Sequence, residues 1–217
     1  MKDFVIEECQ QRDTRGIIFV AKENNYFNPN YKNYEKSGFT GTVYNPKTVK
    51  EIIKLGYSFK ISFGNKIIGY FLGADKNGYF KVFREKFEDL SKNFSLNKNF
   101  IPKNVIYSPQ TAVLPEFKGR GIAHEIFSNV KSEYKRQGFS SIYAEILSNN
   151  EGSIKFWEQV GFKKIADRIP ENITFFKGCD EEWIKKNYQK LLSNKDKRVN
   201  QKMLSNLKWI LYKYSIV

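Results

Sequence analysis

A basic turn with two glycines, residues 118–121, is the stretch of this sequence best suited to bind a negatively charged group. It follows a short apolar run that predicts a strand and precedes apolar residues at helical spacing. Gly119 and Gly121 let the backbone turn tightly and approach an anion, and Lys118 and Arg120 add positive charge. The first N–H groups of a helix have no partner inside it and bind negative charge. This order predicts a phosphate-binding site at the glycine turn, with a plain tight turn as the alternative.

The glycine spacing separates this turn from two common nucleotide sites. It matches neither G-x-x-x-x-G-K-S/T, the phosphate loop of many nucleotide hydrolases, nor G-x-G-x-x-G, the dinucleotide-binding pattern. We therefore expect neither a P-loop nor a Rossmann dinucleotide site.

The glycine turn resembles motif A of the GNAT superfamily of acyl-CoA-dependent N-acyltransferases, whose pattern is Q/R-x-x-G-x-G/A. Residues 118–123 read K-G-R-G-I-A, and residues 113–117 read V-L-P-E-F, similar to the family's V-x-P-E-Y/F. Residues 150–162 read N-E-G-S-I-K-F-W-E-Q-V-G-F, similar to motif B, N-x-x-A/S-I-x-x-Y/W-E-x-x-G-F. The resemblance extends over about residues 106–165, with both motifs in the family's order.

The resemblance implies acetyl-CoA as co-substrate, and no metal is expected. The amides of residues 119–123 would hold the coenzyme A pyrophosphate, and the strand before them would pair with the pantetheine amides. Asn150 would contact the cofactor arm, although an asparagine there also suits a helix cap. The cofactor-binding residues implied are Ala112, Val113, Lys118, Gly119, Arg120, Gly121, Ile122, Ala123, Asn150, Ser153 and Trp157.

Two of these residues depart from the family pattern. Lys118 stands where the family has Gln or Arg, and it keeps the charge of Arg without the planar fork that binds phosphate. Trp157 stands where many members have a tyrosine that protonates the leaving thiolate. An indole N–H donates a hydrogen bond but is not an acid at working pH, so another group serves or the thiolate leaves unassisted.

The candidate catalytic groups lie on the predicted strands around motif A. Tyr143 is the first candidate for the substitute acid and Tyr107 is the second, and both also suit a core. Glu145 is the candidate general base, with a surface carboxylate at a strand end as the alternative. The lone His124 lies beside the glycine turn and would touch phosphate or face solvent.

An aromatic segment, residues 26–34, occupies the region that lines the acceptor site in the family. The resemblance therefore favours an acceptor with an apolar portion, while ordinary core packing explains the same residues. Its aromatic residues are Tyr26, Phe27, Tyr31 and Tyr34.

Composition describes a basic globular chain. The 217 residues suit one domain, 41% are hydrophobic, and the net charge of +14 attracts polyanions unless it only solvates the surface. Cys9 and Cys179 are the only cysteines and His124 is the only histidine, which argues against a disulfide scaffold or a metal cluster. No signal peptide is evident, and the longest early apolar run, residues 17–21, is too short to span a bilayer. We expect a cytoplasmic protein without a membrane partner.

The predicted fold is α/β (α+β): a mixed, mostly antiparallel sheet that splays at the motif A strand and is flanked by helices. Residues 45–56 predict a capped helix, 57–72 a hairpin, and 74–103 an inserted helix and loop that covers the acceptor pocket or packs outside the sheet. Residues 163–168 and 173–177 predict a final strand pair. We assign residues 1–178 to a GNAT-like domain and 179–217 to a basic helical extension. Its helices would carry Trp183, Ile184, Tyr188, Leu191 and Leu192, then Met203, Leu204, Leu207, Ile210 and Leu211.

The predicted function is transfer of an acetyl group from acetyl-CoA to a primary amine of a small molecule or peptide, by direct attack in a ternary complex. One alternative is a nucleic-acid-associated protein, either an aminoacyl-tRNA acetylating enzyme or an RNA binder that uses the basic extension. The other is a non-catalytic acyl-CoA-binding module, motivated by Trp157. The extension would pack on the domain, bind a polyanion or form a homodimer contact.

Overall fold

The computed structural model describes residues 4–32, 34–83, 104–168, 180, 182–183, 185–187, 189 and 208–216. The helices are α1 (Thr14–Glu23), α2 (Tyr34–Ser37), α3 (Pro46–Ile53), α4 (Lys76–Phe83), α5 (Ile122–Arg136) and α6 (Glu151–Gln159). The strands are β1 (Phe4–Glu8), β2 (Phe59–Phe63), β3 (Lys66–Asp75), β4 (Val105–Val113), β5 (Ser141–Leu147), β6 (Lys163–Arg168) and β7 (Trp209–Ser215). In these residues no helix is both long and apolar enough to cross a membrane.

The seven strands form one sheet in the order β1-β2-β3-β4-β5-β7-β6. Every neighbouring pair is antiparallel except β4 and β5, which run parallel. The predicted mixed, mostly antiparallel sheet is therefore confirmed, as is the hairpin of β2 and β3.

The parallel pair is where the sheet opens. β4 and β5 are in register only from Val105 and Ser141 to Ser108 and Ala144. Beyond that row β4 continues beside β3, and β5 continues beside β7. The two strands thus diverge at the C-terminal half of β4, which confirms the splay predicted at the motif A strand.

Helices cover both faces of the sheet. Tyr70 and Phe71 are adjacent on β3, so their side chains point to opposite faces. Phe71 packs against Tyr134 of α5 and Trp157 of α6. On the other face α1, α3 and α4 contact β3. The core therefore consists of two layers, with the sheet between them.

Local sequence explains where α3 and α5 start and stop. Asn45 caps α3 by accepting the Thr48 N–H at 2.9 Å, and Pro46 occupies its first turn. Gly138 ends α5 with a φ of +80°, the left-handed conformation that glycine adopts without strain. Helix α3 lies where the sequence predicts it, and α5 follows the glycine turn, as the helical spacing of apolar residues there indicates.

Helix α4 confirms the first part of the predicted insertion. Tyr79 packs edge-on against Tyr107 of β4 at 4.6 Å, and Phe83 lies 5.8 Å from Tyr44. The helix is thus part of the layer that covers the sheet. The rest of the predicted segment, residues 84–103, lies outside the described residues.

The C-terminal region departs from the prediction. Ile210 and Leu211, predicted to be helical, lie in β7, which inserts between β5 and β6. Strand β6 therefore pairs with β7 among the described residues. The predicted partner of β6, residues 173–177, lies outside them. Trp183 is helical, as predicted, whereas Ile184, Tyr188, Leu191 and Leu192 of the same predicted helix lie outside the described residues. Lys22 of α1 forms a 2.9 Å ion pair with Asp180. Met203, Leu204 and Leu207 also lie outside the described residues.

Candidate active site

A cleft of about 440 Å³ lies beside the C-terminal half of β4, the part of this strand that has diverged from β5. Its walls come from the end of β4, the glycine turn, the first turn of α5, the first two turns of α6, and residues 37–39; we call residues 37–39 the cleft wall. The cleft thus brings together segments that are distant in sequence: residues 37–39, the continuous stretch 111–124 and residues 152–157.

The end of β4 presents backbone hydrogen-bonding groups to this cleft. Leu114 donates its N–H to Ile68 of β3 at 2.8 Å, and Ala112 faces Tyr70 in the ladder. Antiparallel ladders alternate in direction, so the amide groups of Thr111 and Val113 point away from β3 and toward the cleft. A ligand with its own amides could pair with this strand as a further strand would.

The glycine turn offers a set of N–H donors. Gly119 and Gly121 have φ values of +73° and +79°, and a Cβ atom on either would meet nothing within 4 Å. After the turn, the N–H of Glu125 donates to the carbonyl oxygen of Gly121 at 3.0 Å. Among the described residues, the N–H groups of residues 119–124 donate to no backbone carbonyl. The turn is therefore open and rich in donors, which suits a phosphate group.

The side chain of Lys118 is not directed at these N–H donors of the glycine turn. Its Nζ donates to the carbonyls of Gly38 at 2.7 Å and Ser37 at 2.9 Å, and to the hydroxyl of Tyr31 at 2.5 Å. Burial lowers the pKa of Lys118 to about 7. The ammonium therefore binds the cleft wall, and the expected contact between its charge and a phosphate stays a prediction.

The other charged and aromatic groups of the turn remain near the mouth. The Arg120 guanidinium lies 5.3 Å from the Phe117 ring centre, and Arg120 is exposed. His124 lines the cleft and packs edge-on against Phe156 of α6 at 5.3 Å. The structure therefore brings the predicted His124 to the cleft, together with Phe156, which the sequence analysis did not select.

Asn150 serves as a cap and a tether. Its Oδ1 accepts the N–H groups of Ser153 at 3.3 Å and Phe39 at 3.1 Å, and its Nδ2 donates to the Phe39 carbonyl at 2.8 Å. Asn150 is buried and does not line the cleft, whereas Ser153 does. The helix-capping role of Asn150 is therefore confirmed, and its contact with the cofactor arm stays a prediction.

Trp157 lines the cleft from within the aromatic core. It is 6% exposed and packs against Phe162 at 4.4 Å and Phe127 at 5.9 Å. The indole thus fills space between α5 and α6 while one part of it borders the cleft.

The candidate catalytic groups lie at the base of the splay, outside the residues that line the cleft. Glu145 follows Ala144, the last β5 residue in register with β4, and its Oε1 accepts a hydrogen bond from Tyr107 at 3.0 Å. Burial raises the pKa of Tyr107, and the charge of Glu145 adds to this. Burial also raises the pKa of Tyr143, which is the register partner of Tyr107. The structure thus brings Tyr107, Tyr143 and Glu145 together.

The aromatic segment packs mainly on itself. Tyr26 lies 4.9 Å from Tyr34 and 5.1 Å from Phe39, and Tyr26, Phe27 and Tyr31 are buried. Core packing thus explains most of this segment, while Phe39 lines the cleft. Sequence reasoning missed Phe39 and the rest of the cleft wall because no motif marks residues 37–39.

Comparison with known proteins identifies the family. Residues 42–162 match the Acetyltransferase (GNAT) family, which is more than half of the chain. The protein therefore belongs to the GNAT family of acetyltransferases, and the resemblance carried by motifs A and B is confirmed. No curated protein matches the sequence.

Solved structures share the fold at low sequence identity. Ard1 from Thermoplasma volcanium has a TM-score of 0.60 and 10% identity, over 99% of both chains. The ribosomal-protein-S18-alanine N-acetyltransferase from Escherichia coli has a TM-score of 0.57 and 11% identity, over 98% of this chain and 94% of that one. yncA from Salmonella typhimurium, whose structure holds acetyl-CoA, has a TM-score of 0.58 and 14% identity, over 99% and 94%.

Proposed function

We propose that this protein transfers the acetyl group of acetyl-CoA to a primary amine of a small molecule or peptide, by direct attack of the amine in a ternary complex. The main support for this proposal is the splay between β4 and β5, which opens onto a turn of N–H donors. Pantetheine amides need an exposed strand edge, and a pyrophosphate needs a cluster of donors. Family membership and the acetyl-CoA in the yncA structure support the same co-substrate.

Each wall of the cleft has a role in this proposal. The N–H groups of residues 119–123 bind the pyrophosphate, and the backbone of Thr111 and Val113 pairs with the pantetheine amides. Ser153 and Trp157 form the facing wall, because both line the cleft from α6. These contacts hold the co-substrate in a fixed orientation, which is a large part of what a bimolecular acyl transfer requires.

The groups at the base of the splay handle protons. Acetyl-CoA supplies the acetyl group as a thioester, from which a neutral amine can displace the sulfur. Glu145 accepts the proton that the attacking amine loses, because it is the carboxylate nearest in register to the point where the strands part. Tyr143 lies two residues away on the same face of β5, and its raised pKa keeps the hydroxyl protonated, as a proton donor to the thiolate must be.

A calorimetric titration of acetyl-CoA into the wild type and the Gly121→Glu variant tests the co-substrate site. The glutamate places a negative side chain in the open space beside the donors. We expect micromolar binding by the wild type and a loss of at least about 100-fold in the variant, since an anion would meet a carboxylate in its site.

Gly138→Glu is the matched control. Gly138 has a φ of +80° and equally open surroundings, but it lies at the other end of α5. Both variants thus carry the same backbone strain, and only Gly121→Glu should lose binding. Equal losses would show that strain, not the anion site, causes the effect.

Turnover is measured next, as release of free thiol with a panel of primary amines. Turnover supports the transferase proposal. Tight binding without turnover on any amine would instead assign a non-catalytic acyl-CoA-binding module. An absence of binding by the wild type would overturn the proposal.

A further inference from the structure

Lys118 joins the glycine turn to the cleft wall. Its backbone belongs to the turn, while its Nζ lies within 3 Å of oxygen atoms of Tyr31, Ser37 and Gly38. Burial raises the pKa of Tyr31, so that hydroxyl stays protonated and donates onward to the Gly38 carbonyl at 2.5 Å. The two side chains therefore converge on one carbonyl of the wall.

The described contacts of the Lys118 ammonium are with neutral oxygens. Among the described residues, no carboxylate lies within 4 Å of the Lys118 Nζ. The nearby Glu116 is bound instead to Lys66 at 3.0 Å. The ammonium is thus held by neutral oxygens of a segment about 80 residues away. A buried cation requires such acceptors, and they specify one position for it.

Lys118 also borders a second cavity. This cavity, of about 350 Å³, shares Lys118 and Ser37 with the cleft as lining residues, so these two residues lie where the two spaces adjoin. If Lys118 were released, the cleft wall would lose one of its supports.

The opposite side of the wall is held by α6. Asn150 bonds to both backbone groups of Phe39, and a Cβ atom at Gly38 would lie 3.1 Å from the Ser153 hydroxyl. The wall is thus fixed to α6 on one side and to the glycine turn on the other, and only Lys118 makes the second connection among the contacts described.

We propose that Lys118 is a positioning residue, which ties the cleft wall to the glycine turn and thereby sets the cleft width that acetyl-CoA requires. This inference rests on the proposed co-substrate. It differs from a direct role in which the ammonium contacts phosphate, because Lys118 acts through Tyr31 and the backbone of the wall.

The test compares Lys118→Met, Tyr31→Phe and the double variant by calorimetry and steady-state kinetics. We expect Lys118→Met to raise the Kd for acetyl-CoA about tenfold, and Tyr31→Phe about threefold, since each removes part of one hydrogen-bonded group. The double variant should lose no more than Lys118→Met alone, because coupled partners are not additive. KM for acetyl-CoA should rise while kcat stays within about threefold, as expected for a lost binding contribution.

Amide hydrogen exchange supplies a measurement that needs no acetyl-CoA. The amides of Phe39 and Thr40 are bound to Asn150 and Asn24. In Lys118→Met they should exchange at least about fivefold faster, because the wall opens more often. Lys135→Met, an exposed lysine at the end of α5, is the control and should exchange as the wild type does.

Each outcome is decisive. Loss of affinity in Lys118→Met with no change in Tyr31→Phe or in exchange would assign a direct phosphate contact and overturn the proposal. Unchanged affinity in Lys118→Met would also overturn it. If the wild type binds no acetyl-CoA, the proposed function fails, and faster exchange at Phe39 would still support the tie on its own.

Discussion

Asn150 makes three hydrogen bonds with its side chain, and two of them reach Phe39, 111 residues earlier. A single amide therefore caps α6 and holds the cleft wall. The importance of this residue to the site lies in that dual use, since each bond fixes a wall of the cleft and none faces its interior.

Asn150→Ala should lower the free energy of unfolding by about 3 kcal/mol, because it removes a cap and leaves both Phe39 backbone groups without their partner. Asn45→Ala is the matched comparison, since Asn45 caps α3 through Thr48 and ties no distant segment. We expect about 1 kcal/mol for that variant. Urea unfolding measures both, and equal losses would contradict a stabilising tether.

Lys118 should make stability depend on pH. Its pKa is about 7 in the folded protein because of burial, and its ordinary value is 10.5. Between about pH 7 and pH 10 the unfolded chain therefore keeps the Lys118 proton that the folded protein has lost. Because of this difference, the Lys118 contribution to the free energy of unfolding should rise with pH over this range and stay constant below about pH 7. The slope should stay under about 1.4 kcal/mol per pH unit.

The measurement is the difference in unfolding free energy between wild type and Lys118→Met at several pH values. The difference cancels the pH dependence that other titratable groups give to both proteins. One such group is Cys9, whose pKa is raised by burial. Parallel curves from pH 6 to pH 10 would show that Lys118 does not titrate in this range.

At the scale of elements, the first turn of α6 crosses the end of α2 at backbone contact. A Cβ atom on Gly152 would lie 2.5 Å from the carbonyl carbon of Ser37 and 2.6 Å from the carbonyl oxygen of Lys36. Glycine is required there because backbone atoms cannot move aside as a side chain can.

Gly152→Ala should therefore cost more than about 2 kcal/mol of stability and displace the cleft wall. Gly16→Ala is the matched change in α1, where the nearest atom is the tip of the Ile67 side chain at 2.7 Å. The free energy of unfolding of Gly16→Ala should lie within about 1 kcal/mol of that of the wild type, since alanine favours a helix and the tip of the Ile67 side chain can rotate. A neutral Gly152→Ala would exclude the close crossing.

Strand β7 belongs to the scale of the whole molecule. It pairs with β5 along seven residues and carries β6 on its other side. The segment that ends the chain thus connects two parts of the sheet that have no direct pairing in the strand order.

Leu211→Ala should lower stability by about 3 kcal/mol, because Leu211 is 1% exposed in the middle of β7. Val5→Ala, at a 52% exposed position of the edge strand β1, should cost less than about 1 kcal/mol. Thermal unfolding followed by circular dichroism compares them. A separable C-terminal extension would leave the main unfolding transition unchanged in Leu211→Ala.

Much of the sheet and its helices could be predicted, since their signals are local. The cap at Asn45, the stop at Gly138 and the hairpin of β2 and β3 depend on residues a few positions apart. The glycine turn is also local, because its conformation follows from Gly119 and Gly121. Residue type alone could not show which distant segment a polar side chain would bind, which is why the contacts of Lys118 and Asn150 with residues 37–39 were not predicted.

The sequence by itself determined the family, the glycine turn and the order of most elements, because motifs and periodicity act over short distances along the chain. Tertiary structure decided the rest. Ile210 and Leu211 suit a helix or a strand, and the free edges of β5 and β6 select the strand. Lys118 can reach phosphate or carbonyl oxygens, and the position of the cleft wall selects the carbonyls. Both choices depend on which partner lies within reach, and only folding sets that distance.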